Sequence, residues 1–316
     1  MPQPASQEEV VGYFQSLSNW GRWGADDRLG TLNLITAQKR LQAAALIRDG
    51  ESVSCSRLIP RSAPNIVNMM RQSGERYALG DDMPSRQAGY RGLQQASEYI
   101  AFAFHGVLIT HLDSLGHIFW NGQMYNGISS ASVKAGEGST YESVDMSGRD
   151  GIMSRGVLLD IARLKGKPWL TGDEPVYPED LEAAERAQGV RVESGDVLLL
   201  RTGHPSRLAA GDATAGPGGD HSGFQAACLP WLHERGVAMI ASDTINDCAP
   251  RDYPQTALPI HQIAIVAMGL RLVDNADFER LGEVCAAKSR WEFAFALNPL
   301  RLEAATGSPA NPIATF

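Results

Sequence analysis

Four cysteines in 316 residues (Cys55, Cys228, Cys248 and Cys285), with no CxxC pair among them, argue against both a disulfide framework and a thiolate metal centre. Positive charge is scarce too. The 28 Lys and Arg stand against 36 Asp and Glu, a formal charge of −8, and the basic residues nowhere gather into a cationic face. Nucleic acid and anionic membrane are therefore poor partners. Apolar runs such as residues 197–200 and 263–268 stop far short of the roughly 20 residues that span a bilayer. The opening Met1-Pro-Gln-Pro-Ala-Ser-Gln-Glu-Glu9 has neither the basic start nor the apolar stretch of a secretory signal, so the expected location is the cytoplasm. Repeats and low-complexity tracts are missing, which removes solenoids and arrays. A GxSxG elbow is missing as well, and Gly216-Pro-Gly218 does not follow a strand and open a helix, so neither serine-hydrolase nor dinucleotide chemistry is indicated.

What remains reads as one α/β unit in which strands and helices alternate to the end. A Gly- and Trp-rich loop, Asn19 to Asn33, precedes a helix capped by Thr36 and running through Ala45. Residues 63–95 are polar, with Pro64, Pro84 and several glycines, and carry neither helical nor strand period, as expected of a long loop. Aromatic and β-branched residues over 99–113 predict a strand with a bend at Gly106, and residues 151–161 and 194–203 predict two more, whose continuous apolar runs require cover on both faces. Helices are expected over 178–188, closed by Gly189, and over 225–235, 259–268 and 278–287. Strands are expected over 237–243, 270–273 and 290–297.

Three of the seven histidines fall in one 13-residue segment, His105, His111 and His117, with Asp113 among them. Imidazole nitrogen and carboxylate oxygen are the donors that zinc, manganese and iron accept at neutral pH. On an extended strand His105, His111 and Asp113 share a face, and His111 and Asp113 stand about 7 Å apart at Cα, within reach of one ion. A strand of this kind supplies two or three ligands, so others must come from distant sequence, with His261 the leading candidate; Asp274, 13 residues after it, could bridge or balance the metal charge but by itself reads as a turn residue. Trp23, Phe119, Trp120 and Tyr125 offer flat apolar surfaces that suit an aromatic or cyclic substrate. His204 and His221, flanking a Gly-rich loop, are weaker candidates for substrate contact.

Thr110-His-Leu-Asp-Ser-Leu-Gly-His117 resembles the T-H-x-D-x-x-x-H signature of the cyclase-like hydrolases, the group that contains bacterial kynurenine formamidase and isatin hydrolase. The resemblance extends over most of the chain. Asn19 to Asn33 is similar to the N-W-G opening of longer members, Ser194 to Gly203 to a G-D-x-x-x-x-R-T-G strand, His221 to Asp243 to a W-L-x-x-x-G segment ending in Asp, and Gly307 to Ile313 to a G-S-P-x-N-P-x terminus. It implies a single-domain swivelling β/β/α fold over residues 1–316, with mixed sheets flanked by helices and residues 1–50 as an N-terminal extension. It also implies a homo-oligomer, dimer or tetramer, and hydrolysis of an amide, lactam or related carbonyl by metal-activated water. On this resemblance His111, Asp113 and His261 are metal ligands and His117 is the catalytic histidine. Asp274 stands where many members have Glu. Where kynurenine formamidase-like members place a further histidine this chain has Val107, leaving His105 as the substitute.

The expected protein is thus an amidohydrolase with one or two divalent ions, Mn2+ or Zn2+, acting on a small cyclic or aryl amide. Two alternatives stand beside it: a polyketide-type cyclase or dehydratase using the same pocket, and a metal-free protein that binds a small molecule.

Overall fold

The computed structural model describes residues 3–59, 102–249 and 253–316. Two units are distinguished, residues 1–57 with 107–316 and residues 58–106. The sheet, the helices and the candidate site below belong to the first. The expected 63–95 loop lies outside the described residues.

The first unit is built on a nine-stranded mixed sheet. In chain order its strands are β1 (Ser52–Ser54), β2 (His111–Asp113), β5 (Ile152–Asp160), β6 (Val197–Arg201), β7 (Met239–Ser242), β8 (Arg271–Asp274), β9 (Glu292–Leu297), β10 (Gly307–Pro309) and β11 (Ile313–Thr315). β3 (Val133–Lys134) and β4 (Gly138–Ser139) form a separate hairpin. The order across the sheet is β1-β11-β9-β5-β6-β7-β8-β2-β10, with β5 to β8 parallel and every other pairing antiparallel. The central strands are apolar throughout because both faces are covered. Leu198, Leu200, Ile240 and Leu272 enter one core, while Val197, Leu199, Met239, Ala241 and Val273 enter the other. The mixed α/β class expected from the sequence is the one observed.

Most predicted elements are present. Thr36 Oγ1 accepts the Lys39 amide and starts the helix Ala37–Ala44, and the helix Pro178–Gln188 ends at Gly189 in the left-handed region. The helix over 225–235 is shorter, Cys228–Glu234. A first helix, Gln7–Ser16, was not anticipated, although Ser6 and Glu9 form its capping box. The predicted strand over 99–113 is corrected. Among the described residues of that span, 102–113, only His111–Asp113 is strand, because β8 on one side and β10 on the other each pair with three residues. Residues 105–109 are a run of bends in which Gly106 takes φ +134°. His105 therefore does not share a strand face with His111 and Asp113.

The predicted helix over 259–268 makes one α turn, Pro259–His261, and continues as a π-helix, Gln262–Met268. Such a segment leaves carbonyls at its end that need donors. The N-terminal loop supplies them. Asn19 donates its amide to Ala267 O (2.9 Å) and its Nδ2 to Met268 O (2.8 Å), and Trp20 donates Nε1 to Val266 O (2.6 Å). Thr31 N donates to Gly269 O, and Arg271 reaches back to the carbonyls of Leu29 and Arg28 at 2.6 and 2.8 Å. The approach is too close for any side chain. A Cβ at Gly30 would lie 2.1 Å from Gly269 O, one at Gly269 would lie 2.5 Å from the Tyr125 ring, and both residues have positive φ. Gly30→Ala and Gly269→Ala are each expected to cost about 1–3 kcal/mol of unfolding free energy, read as a lower denaturant midpoint at unchanged m-value.

Candidate metal centre

Pairing of β2 with β8 creates the site. The register sets His111 directly opposite Asp274 and Asp113 opposite Leu272, so both ladder neighbours of the TH-x-D pair come from one strand end. His111, Asp113, Asp274 and His261 are all buried. One ligand atom from each of His111, Asp113 and Asp274 lies within 4.8 Å of the others. Asp113 sits in the middle: Oδ1 is 3.4 Å from His111 Nε2, and Oδ2 is 3.6 Å from His261 Nε2 and 3.8 Å from His117 Nε2. His261 Nε2 also faces Asp274 Oδ2 at 3.0 Å.

Both imidazoles are tied at their far nitrogen. His111 Nδ1 meets Ile109 O at 2.7 Å, and His261 Nδ1 meets Asp247 Oδ2 at 2.6 Å. Each Nδ1 is placed to donate, and each Nε2 faces a carboxylate, Asp113 for His111 and Asp274 for His261. Asp247 is held in turn by the amides of Ile260 and His261, and Asn246 donates Nδ2 to Asp274 Oδ1 at 2.6 Å. His261 is kept well above the ordinary imidazole range, because the Asp274 and Asp247 carboxylates outweigh the opposing effect of burial. Three buried carboxylates in one cluster call for positive charge at its centre.

A divalent ion fits this donor set. Ligands held 2.0–2.2 Å from a tetrahedral ion stand roughly 3.3–3.6 Å from one another, and the Asp113 oxygens lie 3.4 and 3.6 Å from the two imidazole nitrogens. These separations are too long for good hydrogen bonds and right for atoms that share an ion.

The other sequence candidates fall in different places. His117 borders the cluster with its side chain 26% exposed. His105 belongs to the 58–106 unit, its ring tilted on Phe104 with centroids 4.5 Å apart. Tyr125 is a core residue whose hydroxyl donates to Asp27 Oδ2 at 3.1 Å, and Trp120 stacks on Phe14 at 4.3 Å. Trp23 is half-buried under the Arg22 guanidinium, and Phe119 is exposed. Ser114 is locked, its hydroxyl donating to Glu142 O at 2.8 Å. Asp247 and Asn246 went unrecognised in the sequence. They lie 14 and 28 residues from the groups they hold, in a segment without any spacing signal.

With the geometry in hand, comparison with known proteins agrees with the fold. A mixed sheet presenting a His/Asp cluster where antiparallel β2 meets the end of β8 defines the class. The family model described as "Putative cyclase" matches residues 59–246, and the chain belongs to this cyclase family. A crystal structure of a novel cyclase is 27% identical, with a TM-score of 0.80 over 99% of this chain and 100% of that one. Isatin hydrolase A from Labrenzia aggregata, bound to benzyl benzoate, is 18% identical with a TM-score of 0.55, covering 88% of this chain and 98% of that one. Isatin hydrolase A from Ralstonia solanacearum is 18% identical with a TM-score of 0.56, covering 88% and 97%. At that identity the likeness is one of fold. No curated protein matches the chain. Among the described residues no helix is long and apolar enough to cross a membrane.

Glu142, whose carbonyl also accepts the Gly116 amide, is a buried acid behind the TH-x-D segment. Burial pushes its carboxyl up to about 7, against the pull of Arg271 and Arg28. The folded protein thus keeps a proton that the unfolded chain releases near 4.5, and stability falls as pH rises through that window. Glu142→Gln removes the loss. Its melting temperature relative to the parent should climb between these two pH values and level off above the upper one, whereas a pH-independent difference would show that Glu142 does not titrate there.

Proposed function

We propose that the protein is a metal-dependent hydrolase that opens a small cyclic or aryl amide, a lactam, formamide or related carbonyl, with water as the nucleophile. The observation that carries this reading is the buried group of His111, Asp113 and Asp274, with one ligand atom of each within 4.8 Å of the others, and His261 Nε2 beside it, 3.6 Å from Asp113 Oδ2 and 3.0 Å from Asp274 Oδ2. Family membership and the fold shared with isatin hydrolases support it. These four residues would hold the ion, and a mixed imidazole and carboxylate set suits Mn2+ or Zn2+. Bound there, a divalent ion supplies Lewis acidity toward a carbonyl oxygen and brings the pKa of water toward neutrality.

The chain's own groups do the rest. Asp247 and the Ile109 carbonyl hold the two buried imidazoles in one tautomer, and Asn246 turns Asp274 inward. His117 is the proton carrier: an imidazole at the solvent edge of the cluster takes a proton from water and returns it to the leaving nitrogen. Protonation of that nitrogen is needed for C–N cleavage, since an amide anion is a poor leaving group.

The family's printed description favours a second reading, cyclisation or dehydration at the same cluster. Oxygen-18 from solvent appearing in the product supports hydrolysis, and its absence supports the second reading.

Chelation is expected to remove about one ion per chain and to abolish turnover of an amide and lactam panel. Hydrolysis undiminished in metal-free protein would overturn the reading. Asp247→Asn leaves every ligand in place and is expected to weaken metal binding about 10–100-fold, measured by competition with a chromogenic chelator.

A further inference from the structure

A cavity of about 300 Å³ lies beside the cluster. Thr244, Ile245 and Asn275 form part of its wall, and Ile245 and Asn275 are the immediate chain neighbours of Asn246 and Asp274. Opposite them are His204 and His221, with ring centroids 6.1 Å apart at an interplanar angle of 67°. The remaining wall is apolar, from Val107, Leu108 and Leu208, or is main chain of the glycine-rich turn 216–219.

Three features of this cavity point to an anionic ligand. His204 is 7% exposed, and its Nδ1 is buried with no hydrogen-bond partner among the described residues. A buried polar nitrogen of this kind ordinarily has a partner, here one that must enter from the cavity. Two guanidinium groups, Arg57 and Arg207, act on it. Arg57 donates to the carbonyls of Ala276, Val107 and Asp243; the carboxylates of Asp243, Asp277 and Asp274 act on it electrostatically, but among the described residues none is within ion-pair distance. Arg207 also acts on His204, while Asp220, the nearby carboxylate, is already engaged by Arg207 at 2.7 Å and by the Gly172 amide at 2.7 Å. Burial first, then Arg57, His221 and Arg207, push His204 down to about 3, with Asp220 opposing. The imidazole is therefore neutral, with an N–H to donate, beside two guanidinium groups that favour an anion over a cation at this point. The size is at the lower end of small-molecule pockets.

We propose that this cavity binds the carboxylate of a small organic acid, with the imidazoles of His204 and His221 as the groups that recognise it and the apolar wall receiving its hydrocarbon body. The cavity adjoins the metal cluster, but neither imidazole belongs to that cluster, so binding here can be measured without the ion.

The test uses full-length, metal-stripped protein and sodium benzoate as probe, with imidazole nitrogen and carbon resonances followed by NMR. Saturable binding is expected, with perturbation of both histidines and an upward shift of the His204 titration midpoint. Benzamide, which has the same shape without the charge, should bind at least about tenfold more weakly, and His204→Gln or His221→Gln should weaken benzoate by a similar factor. His111→Ala should leave benzoate binding unchanged. Equal binding of benzamide, equal perturbation by chloride or phosphate, or loss of benzoate in His111→Ala with retention in both Gln variants would each overturn the proposal. The parent protein's own titration decides the matter should either Gln variant fail to fold. Failure of hydrolysis in the chelation experiment leaves this binding result untouched.

Discussion

The structure depends on one constraint: carboxylates buried together must be balanced or the fold cannot keep them. Asp113, Asp247 and Asp274 are brought into a single cluster, and every element around them serves to hold donors against their repulsion. The antiparallel pairing of β2 with β8 sets two of the carboxylates on neighbouring strands, and the turn that starts at Pro259 delivers His261 between them. A third layer then fixes the ligands, with Asp247 on His261 and Asn246 on Asp274. Each such contact restricts the tautomer or rotamer of His261 and Asp274, so these side chains are held in place.

The N-terminal loop has a structural role that its composition disguises. A Trp- and Gly-rich stretch invites a reading as substrate surface, yet Asn19 and Trp20 satisfy the carbonyls at the end of the π-helix, and Asp27 gathers Gly30 N, Asn33 Nδ2 and the Tyr125 hydroxyl. That helix begins immediately after His261. The loop thus secures the far end of the segment that carries a site residue. Gly30 and Gly269 are glycines because the two segments meet backbone to backbone.

Local chemistry was legible wherever it was encoded locally. Thr36, Gly189 and the apolar runs of β5 to β8 announced their elements, and the His111, Asp113 and His117 pattern announced its donors. Strand length over 99–113 was not legible, because β propensity continues upstream of His111 while the described residues 105–109 are bends and β8 and β10 pair with 111–113. The π-helical turn was also hidden, since residues 262–268 are apolar at nearly every position and carry no helical period.

The amino-acid sequence alone determined the donor types, the α/β class and the family likeness, because these rest on residue identity and on short-range period. Only the tertiary structure decided which donors meet. His261 and Asp274 are separated from His111 by about half the chain, and their approach is set by strand order and register, which no local pattern specifies. The same holds for Asp247, Asn246 and the His204 and His221 pair, whose roles come from what long-range packing sets beside them.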